Sequence, residues 1–200
     1  ENLPLGLFGN FYSQEHSFIL VKNNDYKNLK NILEKCNLRI KRIISRGFLN
    51  GIELISRHPE SETFFKIEIN NNHTQLIYFE NSALKFMQSF NFGLEIVVND
   101  ISKVVALKKE NIYEILSDPK FFEKITDEDL IQKEFFKNHN FRKIKKKLII
   151  DIAIARFEEI INIMIFNNSN VQNFLNNNKK IFLRFSNSTR TNFFKKICGD

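Results

Sequence analysis

Two hundred residues and 23.7 kDa are enough chain to bury a sizeable core, in one domain or two. A hydrophobic share of 42% with 22 Phe excludes a disordered chain, and Asp151, Arg156, Glu158 and Glu159 inside the longest apolar stretch, 148–166, exclude an ordinary membrane-spanning helix. The formal charge of +7 and pI near 9.3 fit a polyanion partner, but Lys, Asn, Ile and Phe are all in excess, as A/T-rich codons dictate; the charge reads first as composition, and no nucleic-acid partner is expected.

Taken in chain order, 1–10 holds Pro4, Gly6 and Gly9 and reads as loop. The stretch 16–22 predicts a strand. A helix over 25–37 follows, capped by Asn24 or Asp25, with Leu29, Ile32, Leu33 and Cys36 on one face. The Asn37-Leu38 junction ends it and 38–45 predicts a second strand, so the first part reads as a small layered α+β unit. A short helix over 48–55 and the turn 58–62 lead into a meander. Its first strand ends Ile67-Glu68-Ile69, its turn is Asn70-Asn71-Asn72, its second strand begins Leu76-Ile77-Tyr78-Phe79, and its third runs from Ala83 to Phe90. Asn tolerates positive φ, which suits a triple Asn to a tight hairpin turn. Gly93 and Asn99-Asp100 come next, at the opening of a helix over 94–106, followed by one over 109–116 that Pro119 breaks. Thr126 with Asp129 forms a capping box ahead of a helix over 126–137. The longest helical pattern spans 141–165, then come an Asn-rich loop over 167–180, a buried strand over 181–185 and a final helix over 189–197. There is no internal repeat.

The titratable groups bound the chemistry. Cys36 and Cys198 stand in no metal-ligand spacing, and Cys36 on an apolar stripe reads as a buried, reduced thiol. The histidines His16, His58, His73 and His139 are scattered without a zinc or triad partner. Glu68, Asp100 and Asp151 invite a two-metal nuclease reading, but that chemistry needs several carboxylates converging on the metals, and Asp100 is expected to serve a helix dipole or a packing hydrogen bond. No metal site and no catalytic residue are predicted.

The stretch from Glu68 to Gln75, read with Gly93 to Ile101, resembles the bacterial cell-division protein family FtsA, within the actin-like ATPase superfamily. That family has Asp-Ile-Gly-Gly-Gly-Thr-Thr-Asp over the first stretch and Gly-Gly-Asp-x-x-Thr-Asn-Asp-Ile over the second, and the spacing fits without gaps. The opening Glu1 to Gly9 is similar to the family's Asn-Pro-x-Gly-Met-x-Gly, and 28–44 to a helix and strand with a recurrent Cys. Residues 48–55 fall on its Pro-Leu-Ala-Ser-Ala helix, with Gly47 in place of the proline. Arg156 to Ile160 matches Arg-x-Glu-Glu-Ile, and 185–188 sits at its Thr-Gly-Gly-Gly. The chain reads as a fragment. The resemblance implies an α/β, actin-like (ribonuclease-H-like) fold: an SHS2-type 1C subdomain over 1–45, a 2A subdomain over 46–104 and 181–200, and a 2B-like insertion over 105–180.

In actin-like ATPases glycine turns let backbone N–H groups reach the nucleotide phosphates, with an Asp nearby for Mg²⁺. The resemblance places that site on Glu68, Asn70, Asn71, Asn72, His73, Thr74, Gly93 and Asp100, the base and ribose on Tyr113 and Leu116, and the second phosphate turn on Ser186 and Asn187. The metal-side Asp is Glu68, the closing Asp is the neutral Gln75, the turn glycines are asparagines, and the base-cradling Glu and Lys are Tyr113 and Leu116. ATP and Mg²⁺ are the family's ligands; erosion at all these positions predicts a site that no longer turns ATP over. The expected function is that of a division adaptor linking FtsZ to the division machinery, not an enzyme, with an ATP-dependent switch or a PilM-type pilus adaptor as alternatives. The implied partners are the FtsZ C-terminal tail, through Arg156 and the basic run with Arg142, Lys143 and Lys146, and further copies through 1C. The alternative for Arg156 is an intrahelical pair with Glu159, and for the basic run a solvated helix face. The implied location is cytoplasmic, at the inner face of the plasma membrane, held there by a C-terminal segment outside this chain.

Overall fold

A computed structural model of the chain describes residues 6, 8–11, 13, 16–122, 126–136, 140–175, 180–185 and 191–198. Two compact units divide at residues 50 and 51.

The first unit, 1–50, contains the helix α1 (Asn23–Lys35). Lys22 is its N-cap and no side chain caps it, so the expected cap from Asn24 or Asp25 is not used; both lie inside the first turn. Its C-terminus closes as a Schellman turn: Asn37 takes φ 58°, its N–H bonds the Glu34 carbonyl at 3.0 Å, and the Leu38 N–H bonds that of Leu33 at 2.9 Å. The expected strands over 16–22 and 38–45 are extended but join no ladder. Periodicity gave them strand character, but neither finds a partner edge among the described residues. No residue of α1 is buried, and Cys36 is exposed, contrary to the buried thiol expected.

The helix α2 (Arg46–Arg57) crosses into the second unit. There the meander forms as its pattern predicts: β1 (Phe64–Ile69), β2 (Thr74–Glu80) and β3 (Ala83–Phe90) pair antiparallel. A fourth strand, β4 (Lys180–Phe185), lies parallel to β1, giving the sheet order β3-β2-β1-β4. β4 is an edge strand with Ile181 and Leu183 exposed, where a buried strand was expected.

Alternation sorts the side chains. Phe65, Ile67 and Ile69 of β1 join Leu76 and Tyr78 of β2 in the larger core, packed with residues of α3 (Leu94–Val105), α4 (Lys109–Ser117) and α5 (Lys146–Ile161). Phe64, Ile77 and Phe79 form a smaller cluster on the other face with Leu84, against Leu54 and Ile55 of α2. Gly51 admits the Phe79 ring there; an added Cβ would overlap it. Burial drives the Tyr78 phenol well above its ordinary pKa, and its hydrogen bond to Glu80 at 3.1 Å adds to the rise.

Two helical expectations change. Over 126–137, Thr126 donates its N–H to the Asp129 carboxylate at 2.6 Å, but no α-helix follows among the described residues. Instead Ile131 N–H bonds the Ile144 carbonyl at 2.9 Å and Lys146 N–H that of Asp129 at 2.8 Å, so backbone pairing with 144–146 replaces the helical ladder, and a 3₁₀ turn covers Lys133–Phe136. The same pairing delays α5 to Lys146; it continues as a π turn over Asn162–Phe166. A short helix α6 (Ser169–Gln172) interrupts the Asn-rich stretch, and α7 (Thr191–Cys198) is the final helix. No described helix is long and apolar enough to cross a membrane.

Candidate functional site

The β1–β2 hairpin places Glu68 directly opposite Gln75 and Ile69 opposite Thr74, leaving Asn70 to His73 as the turn. Asn70 N–H bonds the His73 carbonyl at 2.9 Å, and the Asn70 amide Nδ2 lies 2.8 Å from His73 Nε2. The side chains of the turn therefore bond across its mouth. Asn71, Asn72 and His73 are exposed, Glu68 and Thr74 buried. In parallel register Glu68 also faces Arg184 of β4.

The turn is fastened to α3. The Asn70 carbonyl accepts the Leu94 N–H at 2.9 Å, the Asn71 carbonyl accepts the Glu95 N–H at 2.9 Å, and Thr74 Oγ1 donates to the Phe92 carbonyl at 2.8 Å. Gly93 makes this approach possible: an added Cβ would overlap the Asn70 carbonyl oxygen, and its extended backbone, φ −165°, shows that the need is for space. The first N–H groups of a helix are a ready anion site; here two of them serve carbonyls of the turn.

Glu95, which the sequence reading did not single out, completes the cluster. Its carboxylate accepts the Tyr113 hydroxyl at 2.5 Å and pairs with Lys109 Nζ at 3.1 Å, tying α3 to α4. An acidic residue two places after Gly93, in the first turn of a helix, was the available signal. The carboxylate sits at the positive end of the α3 dipole.

The remaining predicted positions do not join the turn. Leu116 is 2% exposed, in the larger core. Asp100 lies mid-way along α3, where the opening of a helix was expected, about 9 Å from its first residue by helical rise; there it pairs with Arg156 of α5. Arg156 also holds Glu159 at 2.8 Å, so the expected intrahelical pair forms as part of a bridge between two helices. Ser186 and Asn187 lie outside the described residues, as do 1–5 and 7 of the opening motif. In the basic run, Arg142 donates to the Val105 and Ala106 carbonyls at 2.8 Å each, where Ala106 takes φ 47° to end α3. Lys146 Nζ donates to the Phe121 carbonyl at 3.0 Å and lies over its ring, and Lys143 is exposed. Lys145 and Lys147 pair with Glu128 at 3.0 Å and Asp127 at 2.7 Å.

The fold as a whole is similar to solved structures. The chain matches the ethanolamine utilization protein EutJ of Carboxydothermus hydrogenoformans with TM-score 0.51, 10% identity, 90% of this chain and 55% of that one. It matches MreB 5 of Spiroplasma citri, solved with AMPPNP, with TM-score 0.52, 14% identity, 89% of this chain and 66% of that one. This is an actin-like fold. The chain spans 55 to 66% of the length of these two structures. No family model matches it, and no curated protein matches it.

A nucleotide with Mg²⁺ does not fit the turn as built. Two α3 N–H groups are occupied, the Asn70 and His73 side chains bond across the mouth, and Glu95 brings a carboxylate to the start of the helix. The arrangement can act as a joint between sheet and helix.

Proposed function

We propose that the chain is part of an FtsA-like adaptor of bacterial division, working at the cytoplasmic face of the membrane through partners, the FtsZ tail and further copies among them, without turning ATP over. The observation carrying the second half is the turn at Asn70 to His73, where the Asn70 and His73 side chains bond each other at 2.8 Å in the place of the glycines that leave phosphate room in the family. The division assignment rests on the sequence resemblance, above all at Arg156 to Ile160, since the fold is common to actin-like proteins of several functions. Arg156 lies in an open groove of about 380 Å³ between α3 and α5, lined also by Asp100, Lys103, Val104 and Ile152. The lining sets Lys103 and Arg156 against the carboxylates of Asp100 and Glu159 beside apolar Val104, Ile152 and Ala155; a short peptide with apolar residues and a carboxylate that takes the place of one of these partners at Arg156 is the contact proposed for the FtsZ tail.

Titration calorimetry with Mg-ATP and with the FtsZ C-terminal peptide tests both halves. The expected result is no saturable nucleotide heat up to millimolar concentration, and peptide binding near micromolar Kd, about −8 kcal/mol, lost in Arg156→Gln. Glutamine is the right substitution because glutamate would meet Asp100 and Glu159. Saturable, Mg²⁺-dependent nucleotide binding would overturn the eroded site. Absence of peptide binding to a folded sample would overturn the division partner.

A further inference from the structure

Residues 39–44 form an open backbone edge among the described residues. Among the described residues, no backbone hydrogen bond reaches 39–44, and the segment belongs to no sheet. Unpaired N–H and C=O groups along an extended segment are a template for another strand. Beside it lies an open groove of about 650 Å³, lined by Leu29 and Leu33 of α1, by Ile40 and Ile43, and by Arg39, Lys41 and Arg42. An apolar groove along an open edge is what strand addition uses: the backbone supplies affinity and the groove takes alternate side chains. Charge then selects the occupant. Residues 22–46 hold eight Lys and Arg against two carboxylates, Asp25 and Glu34, and Glu34 already pairs with Lys30 at 3.7 Å. A second copy docked face to face would set like charges opposite each other. A bilayer is flat, while this surface is concave and its backbone groups call for a partner that continues a ladder.

We propose that residues 39–44 capture, by strand addition, an extended acidic segment of another protein, its alternate apolar side chains entering the groove at Leu29, Leu33 and Ile40 and its carboxylates meeting Arg39, Lys41 and Arg42. This site is separate from the Arg156 groove and does not depend on the FtsZ reading.

The test is a displayed library of random peptides selected on the full chain, with an enriched peptide then synthesised for fluorescence anisotropy. Enriched sequences are expected to alternate Asp or Glu with apolar residues. Lys41→Pro, which removes one N–H of the edge, and the Lys41→Glu/Arg42→Glu pair should each weaken the peptide about tenfold, the scale of one charge-assisted or ladder contact. Arg156→Gln should leave it unchanged. Both altered residues are exposed and lie outside the 51–200 core, so melting of that core should not move. The proposal falls if nothing is enriched, if enriched peptides lack acidic residues, or if Lys41→Pro binds within twofold of the parent. It falls equally if phosphatidylglycerol vesicles pellet the chain regardless of Lys41→Pro, or if the Lys41→Glu/Arg42→Glu pair abolishes a dimer in place of peptide binding.

Discussion

The helices α1 and α3 are nearly the same length, 13 and 12 residues, and each carries an apolar stripe at helical spacing. α3 buries Leu94, Val97, Val98, Ile101 and Val105, while α1 buries nothing and leaves Leu29 and Ile32 exposed. Amphipathic pattern therefore predicts that a helix forms and which face wants cover, but not whether the chain supplies the cover. α3 has a four-stranded sheet beneath it. α1 has two extended segments that join no sheet, and isolated helices of its length are marginal in water.

The sharpest way to break this contrast is to truncate one residue on each stripe. Ile101→Ala, at a site with no exposure, should cost about 3 kcal/mol in urea unfolding, from lost transfer energy and the cavity left behind. Ile32→Ala, on a side chain 60% exposed, should cost no more than about 0.5 kcal/mol. A loss at Ile32 equal to that at Ile101 would mean that the first unit is packed in solution.

Gly93→Ala comes next. The added methyl must displace the Asn70 and Asn71 backbone, so a loss of about 2 kcal/mol is expected, in the range of an overpacked site. Hydrogen exchange should locate it: the Leu94 and Glu95 amides should lose protection, while β2–β3 amides change only through global stability. Unchanged protection at those amides would remove the joint between turn and helix.

Much of this joint was legible in advance. Apolar runs bounded by Asn-rich turns gave the meander, and period-3.6 spacing gave α3 and α4, since each element's own side chains decide it. The family resemblance over Glu68 to Gln75 and Gly93 to Ile101 pointed to the turn and the glycine. What the sequence concealed depended on neighbours far along the chain. Glu95 became part of the cluster only because α4 brings Tyr113 and Lys109 to it. The segment 126–137 kept its capping bond but lost its helix to pairing with 144–146. Asp100 and Arg156, read as unrelated residues, meet because α3 and α5 pack together.

Arg142 sharpens the comparison at the other end of α3. Its guanidinium serves carbonyls that the helix end leaves without partners, so Arg142→Ala should cost about 1 kcal/mol. α1 and α3 close through the same Schellman pattern, around Asn37 and around Ala106, but α1 has no distant arginine on its last carbonyls among the described contacts. Both bonds leave one guanidinium nitrogen, so Arg142→Lys, which keeps the charge and several N–H groups on one nitrogen but not the planar head, should recover part of the loss. Full recovery would show that charge alone matters there.

The smallest effect concerns the exposed pair Asp127–Lys147 at the start of α5. The hydrogen bond and charge of Lys147 hold the Asp127 carboxyl below its ordinary pKa, and Asp127 raises Lys147 in return. A lowered acid contributes stability above its unfolded pKa and loses it as pH falls through the folded one. A raised base contributes below its unfolded pKa and loses it as pH rises through the folded one. The pair therefore acts across the neutral range and fades at both ends, below the carboxylate range and above that of lysine. Both groups are open to solvent, so salt should shrink the effect as well. Asp127→Asn should lower the melting temperature slightly at pH 7 in low salt and by less at pH 3, where the aspartate is losing its charge. An equal difference at both pH values would assign Asp127 to the local backbone turn, where Thr126 and Asp129 already bond, and leave the ion pair without a share in holding α5.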